Sequence, residues 1–314
     1  EQLIRDGQQQ FSNPVDFAAT FISHDLEWLR EWEALQQQDV PDLNANGTLM
    51  ELVQKRLRWE VAAEFGYRSR LGSSVEQAGS LTAAVDPAAI TALLPDLLSK
   101  LQNEIEPLHQ IRTSQVQQLV SGLLHHWRQR GGFDLPELLG EANKGSAYLS
   151  SGGTDTFVLN TNFRFQHVPP FGPSAPKPNY ITSYRGKGNF EQLLRDKGPI
   201  TWPQHWLERT LQPSKTLESE QQKEALQAVI DALLGAGLLI EIPGERGARI
   251  WAIPRSRIQV SAEPTLMRCS CCGDGQAIPA DQLPLWDGMP CLVRHCAGSY
   301  STDQRGGLPL YKRL

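Results

Sequence analysis

Arg268-Cys269-Ser270-Cys271-Cys272-Gly273 and, one short loop later, Pro290-Cys291-Leu292-Val293-Arg294-His295-Cys296 carry all five cysteines of the chain. Cys269 and Cys272 have C-x2-C spacing, and Cys291 and Cys296 form a second pair with four residues between them. Two such pairs, each on a tight turn, aim four thiolates at one point, which is what a tetrahedral metal site needs. Gly273 relieves the backbone beside the first pair. The pattern predicts a structural Zn2+ held by Cys269, Cys272, Cys291 and Cys296. Buried thiols, a disulfide pair and an iron–sulfur cluster are the other chemistries that four cysteines allow.

Cys271, between two ligands, is expected to point away from the metal as a packed residue or a free thiol. His295 beside Cys296 is a spare ligand type, but four thiolates suffice without it. A catalytic zinc would keep an open position, usually with a carboxylate close by. The Pro-Cys start of the second pair resembles that of zinc deaminases, yet no H-x-E precedes it and the pair spacing differs.

Working outward, the 314 residues and 40% hydrophobic content are enough for two or three domains with cores. The formal net charge is -5, with an acidic balance in residues 1–110 and a basic one in 111–314. Bulk charge therefore gives no nucleic-acid binder, although local patches still make phosphate contacts. No apolar run is long enough to span a membrane. The chain begins at Glu1 without a signal-peptide pattern, which predicts a piece of a larger protein. Clustered cysteines with none elsewhere fit a reducing compartment, and a cytoplasmic location is expected.

Residues 14 to about 38 and Thr48 to about Gly66 read as amphipathic helices. Phe65-Gly66-Tyr67-Arg68-Ser69-Arg70-Leu71-Gly72 reads as a helix C-cap and linker, or as a turn held near a phosphate or an acidic partner. Residues 86–106 form a third helix begun by Asp86-Pro87, with a kink or break expected at Pro95. Residues 1–112 are thus expected to be an all-helical bundle.

From Thr113 the pattern changes. A helix to Arg130, a short extended piece at Phe133-Asp134 and Leu135–Leu139 leading into a helix with Pro136 near its start, a helix from Leu217 to Ala236, and strands Leu238–Ile242 and Ala248–Ile253 follow the order of a winged helix over 113–260. Arg246 and Arg249 sit near the tip of its wing, and Arg128 and Arg130 close the first helix. An insertion at about 143–200 includes the proline-rich run Val168–Pro178. Beyond it Tyr180, Tyr184, Arg185, Lys187 and Phe190 interleave aromatics with cations. That interleaving suits a strand of nucleic acid, and equally a loop packing on its own domain. His125-His126 reads as a surface pair. The last module, 261–314, is the four-cysteine unit. The fold class expected is mainly α with small β.

Three segments, Arg56–Glu76 (RLRWEVAAEFGYRSRLGSSVE), Leu119–Glu141 and Arg268–Gly298, resemble parts of large bacterial DEAD/DEAH-box superfamily 2 helicases. Similar proteins include helicases of phage-defence loci and repair helicases with a four-cysteine C-terminal region. The resemblance touches about a third of the chain, and only the cysteine segment is a sharp motif. It implies an ATP-driven translocase on DNA, with Cys269, Cys272, Cys291 and Cys296 as zinc ligands. No G-x-x-x-x-G-K-[ST] frame or Asp-Glu-x-His box is present, so the ATPase lobes of the parent chain would lie outside these residues.

Two function classes follow. One is a nucleic-acid-binding accessory region for single-stranded or forked DNA, with contacts from Arg246, Arg249, Arg185, Lys187, Arg128 and Arg130. The other is a zinc-stabilised protein-interaction scaffold in a defence or repair complex. An independent enzyme is the third and weakest reading, because no acid–base pair stands out.

Overall fold

The computed structural model describes residues 33–35, 37–38, 65, 76, 79–129, 132–134, 180–182, 190–192, 200–243, 249–262 and 264–302. Two compact units divide the chain: Glu1–Gly72 with Leu135–Lys177, and Ser73–Asp134 with Pro178–Leu314. Of the first unit, only a helical turn at 33–35 with Leu35 buried, residues 37–38, and a buried Phe65 are described. The expected helices at 14–38 and 48–66, the Phe65–Gly72 segment and most of the insertion therefore lie largely outside the described residues.

In the second unit, β1 (Leu81–Val85) leads into α1 (Pro87–Glu104), a 3-10 turn (Glu106–Leu108) and α2 (Thr113–Gln129). Residues 81–85 were expected to belong to an all-helical region, and they form a strand instead. Asp86 explains the change: its carboxylate accepts from the amides of Ala88 and Ala89, so the helix is capped there and does not extend backward. Ahead of the cap, β1 pairs antiparallel with β7 (Ile258–Ala262), from Leu81 opposite Ala262 to Val85 opposite Ile258. Arg257 fixes the corner, with its guanidinium 3.0 Å from Asp86. Pro95 neither breaks nor ends α1, which is helical throughout its 18 residues. The amide Pro95 lacks is on the exposed side of the helix, where water can take the freed carbonyl of the preceding turn.

α2 is the central helix. Val116, Leu119, Val120, Leu123, Leu124 and Trp127 are buried, and so are Ser121, Gly122, His125 and Arg128 on its other sides. A helix buried on several faces has partners on several faces, and α1, α3 (Trp202–Leu211), α5 (Leu283–Trp286) and β1 all pack on it. Gly122 lets Trp206 of α3 lie directly on the α2 backbone; a Cβ there would fall 2.2 Å from the indole. Trp206 Nε1 donates to the Leu119 carbonyl at 3.1 Å.

Both later helices start on capping boxes. Thr201 and Gln204 cap α3, and Glu218 and Gln221 cap α4 (Ser219–Gly235). Gln204 Nε2 reaches Gln222 at 2.8 Å and ties the two helices together. After Gly237, at φ 63°, the chain forms β5 (Ile240–Pro243) and β6 (Arg249–Pro254), an antiparallel pair. β6 is the hub of a five-stranded sheet. It also pairs with β2 (Phe133–Asp134), parallel, and with β3 (Tyr180–Thr182), antiparallel, with β4 (Phe190–Gln192) beyond β3. A third sheet orders β10 (Tyr300–Thr302), β8 (Thr265–Cys269) and β9 (Gly275–Ile278). Among the described residues no helix is long and apolar enough to cross a membrane.

Arg128 is 0% exposed and forms an ion pair with Glu76 at 2.9 Å. Glu76 also accepts from the Ala83 amide at 3.0 Å, and the Thr82 hydroxyl lies 3.2 Å from it. The same hydroxyl is 2.6 Å from the Ala277 carbonyl, so β1, β9 and α2 meet at this pair. Replacing Glu76 by Ala removes the carboxylate that meets a buried cation and is expected to cost about 3–5 kcal/mol. Gly122→Ala is expected to cost about 1–3 kcal/mol by overpacking against Trp206. Denaturant midpoints of the two variants check both values.

Candidate metal centre

The site is assembled from two loops. The first, Cys269 to Asp274, is the turn between β8 and β9. It closes with the Gly273 amide on the Cys269 carbonyl (3.0 Å) and the Cys269 amide on the Asp274 carbonyl (2.8 Å). Gly273 has φ 73°, a conformation that a residue with Cβ rarely adopts. The second loop, Cys291 to Gly298, is pinched where Pro290 bridges Ser299 and where the Cys291 amide reaches the Gly298 carbonyl at 2.9 Å.

Together they bring Cys269, Cys272, Cys291 and Cys296 to one point, all four sulfurs within 4.8 Å of one another. Cys269 and Cys296 are 3.5 Å apart, and Cys272 and Cys291 are 3.6 Å apart. Those separations are far beyond a disulfide bond of about 2.05 Å, and all five cysteines are free. A tetrahedron with metal–sulfur bonds of about 2.3 Å has sulfurs about 3.8 Å apart. The four thiols therefore fit a single metal ion, and leave too little space between them for a cluster of several irons.

Backbone amides are aimed at the sulfurs. Cys271 N–H donates to Cys269, Val293 N–H to Cys291 and Gly298 N–H to Cys296, each at 3.4 Å. Such donors stabilise thiolate over thiol. The Gly298 amide, helped by the neighbouring sulfurs against the opposing effect of burial, brings Cys296 down to about 6. Burial pushes Cys291 well up, and pushes Cys272 up as well. Four thiols this close do not all ionise by themselves; a divalent cation among them supplies the missing charge balance.

Cys271 lies outside the cluster and is exposed, with its thiol raised first by its hydrogen bond to Cys296. His295 is exposed and contributes no ligand atom to the group.

Several residues that sequence reading did not single out hold the loops. Gly298 is packed tightest: a Cβ there would sit 2.6 Å from the Cys269 sulfur and 2.6 Å from Cys271 Cβ. Arg209 of α3 clamps the second loop with two bonds of 2.8 Å, to the carbonyls of Cys291 and Gly298. Trp202 Nε1 donates to the Leu292 carbonyl at 2.8 Å. Tyr300 accepts from the Leu292 amide at 3.1 Å, donates to Asp274 at 2.6 Å and lies 3.7 Å from the Cys291 sulfur. Burial and the Asp274 carboxylate keep its hydroxyl protonated.

From Asp274 the hydrogen bonds continue to Gln276 (2.7 Å), which accepts from Gln129 (2.8 Å) and meets His125 Nε2 at 3.0 Å. The ligand loops are thus wired to α2. The local signal for α3 was present as Thr201-Trp202-Pro203-Gln204, a capping box with Pro in the first turn. Nothing local marks Gly298 or Arg209, whose partners are distant in sequence.

The basic residues expected at a nucleic acid fare differently. Arg128 is corrected: it is buried against Glu76 and has no surface to offer. His125 is likewise buried, and His126 stacks on Trp202 with centroids 3.6 Å apart. Arg249 opens β6 opposite Pro243. Arg246, Arg185, Lys187 and Arg130 lie outside the described residues. Compared with known protein families, curated proteins and solved structures, the chain matches none.

Gly298→Ala is expected to force the two loops apart and to lower bound metal well below one ion per chain, whereas Cys271→Ser leaves it unchanged. Elemental analysis of gel-filtered protein checks both.

Proposed function

We propose that the four cysteines hold a structural zinc ion, and that the chain is a nucleic-acid-binding accessory region of an ATP-dependent DNA helicase or translocase whose ATPase lobes lie elsewhere in the parent chain. Four thiolates are the usual donor set of structural zinc, and they leave no open position for catalysis. The zinc contributes folding energy to loops that bury little core of their own.

The observation that carries the nucleic-acid reading is the element order: α2, the short β2, the capped pair α3 and α4, then the β5–β6 hairpin. That is the order of a winged helix with an insertion between β2 and α3, and it supports β5–β6 as the wing, with Arg246 in its loop. The resemblance of the cysteine segment to superfamily 2 helicases of defence and repair points the same way.

A second reading, a zinc-stabilised protein-interaction scaffold, is favoured by how the cations are spent. Arg128 is paired inside the fold and Arg257 is paired at its surface, and the exposed side of α4 carries Glu218, Glu220, Glu224 and Asp231 against Lys223 alone. Such a face suits a basic protein partner better than a DNA groove.

Titration with single-stranded and forked DNA at two salt concentrations, on protein of measured zinc content, separates the readings. The accessory-region reading expects one zinc per chain, affinity that falls steeply with salt and no ATP hydrolysis. One zinc per chain with no DNA affinity at low salt would sink it in favour of the scaffold. Chelation of the zinc is expected to loosen both loops, read as a change in the fluorescence of Trp286, whose ring packs on Tyr300 with centroids 5.6 Å apart.

A further inference from the structure

Trp202, His205 and Arg209 are spaced three and four apart on α3, so they share one face of that helix. That face is seated on the second cysteine loop. Trp202 and Arg209 bond the loop's carbonyls as described, and from the loop Arg294 donates back to the Ile200 carbonyl. Arg294 and His295 therefore lie beside His205 and Arg209, four nitrogen-rich side chains in one place.

The charge of the two arginines is not neutralised. Arg209 and Arg294 give their hydrogen bonds to backbone carbonyls, which leaves the positive charge in place, and neither forms an ion pair among the described residues. Arg128, Arg257, Lys215 and Lys223, by contrast, each meet a carboxylate. His205 registers the local field: burial first, then Arg209, Arg294 and His295, hold it below its ordinary value. His295 and the aliphatic side chains of Ile200 and Val293 are exposed at the rim, the last two at 37% and 39%.

We propose that this face, with Arg294 and His295 at its rim and Arg209 behind them, binds the phosphate backbone of a nucleic-acid strand. The proposal rests on the nucleic-acid reading above and adds to the β5–β6 wing a second contact surface, on the second cysteine loop and α3. Charge complementarity selects the occupant, because phosphodiesters are the densest anions such a surface meets. The aromatic groups here do not read bases. Trp202 is stacked on His126 at 3.6 Å and on Trp206 at 5.2 Å, so its ring is already engaged. The grip is therefore independent of sequence, and the zinc loop acts as a rigid mount for Arg294 and His295 rather than as a staple alone.

The test uses the zinc-loaded chain and fluorescently labelled oligo-dT and oligo-dA of equal length, at two salt concentrations. Arg294→Glu is expected to weaken both oligonucleotides alike, by roughly tenfold, as befits removal of a charge-assisted hydrogen bond. It should also lower the salt slope by about 1 for each phosphate that the variant no longer neutralises. His295→Glu, which changes an exposed side chain of the same rim, repeats the test if Arg294→Glu loses its zinc. Arg246→Ala and Arg249→Ala serve as the wing controls. If wild-type protein binds and only the wing variants weaken it, this face is overturned while the nucleic-acid reading stands. If wild-type protein binds neither oligonucleotide at low salt, the nucleic-acid reading itself fails. Displacement by poly-glutamate as readily as by oligonucleotide would make the face a site for acidic protein and overturn the proposal.

Discussion

The buried ion pair between Arg128 and Glu76 constrains everything packed around the central helix. A guanidinium with no access to water is tolerable only where a carboxylate and further hydrogen bonds surround it. Glu76 meets that demand and at the same time accepts from Ala83, which fixes the start of β1. Thr82 then joins β1 to β9 through the Ala277 carbonyl. A strand, a helix and the sheet that bears the first cysteine loop are thereby placed by one charge that has to be satisfied.

The four-cysteine cluster inherits its position from this arrangement. β9 carries Gln276, and Gln276 links His125 and Gln129 of α2 to Asp274 and Tyr300. Tyr300 in turn holds the Leu292 amide, while Arg209 holds the two carbonyls at the ends of the second loop. The loops are therefore oriented from both sides, by a polar network below and by α3 beside them. Side-chain partners of this kind orient the groups that bind a metal and tune their charge.

What sequence alone could reach divides along the distance of the interactions. The four-cysteine cluster was legible because such spacing is local: two residues separate Cys269 from Cys272, and four separate Cys291 from Cys296. The apolar faces of α1, α2 and α4 were legible from their period for the same reason. Arg128 was misread because a cation near a helix C-terminus, followed by two glycines, looks like a surface end; its partner is 52 residues away. β1 was missed because Leu-Thr-Ala-Ala-Val has no strong period, and its strand character comes from β7, far along the chain. Gly298 gave no local sign, since the atom that forbids a side chain there is the sulfur of Cys269.

β6 takes both β2 and β3 as partners. β2 leaves the sheet opposite Ile253 and Pro254, and β3 returns opposite Trp251 and Ile250. Departure and return are only a few residues apart along one strand, so the excursion between them starts and finishes at nearly the same place. Closing such a loop grows costlier only slowly with its length, by about 0.6 kcal/mol per doubling. The sheet is thus indifferent to what is spliced into it there, and the second unit can accept a long insert, or a different one, while its own strand register stays the same.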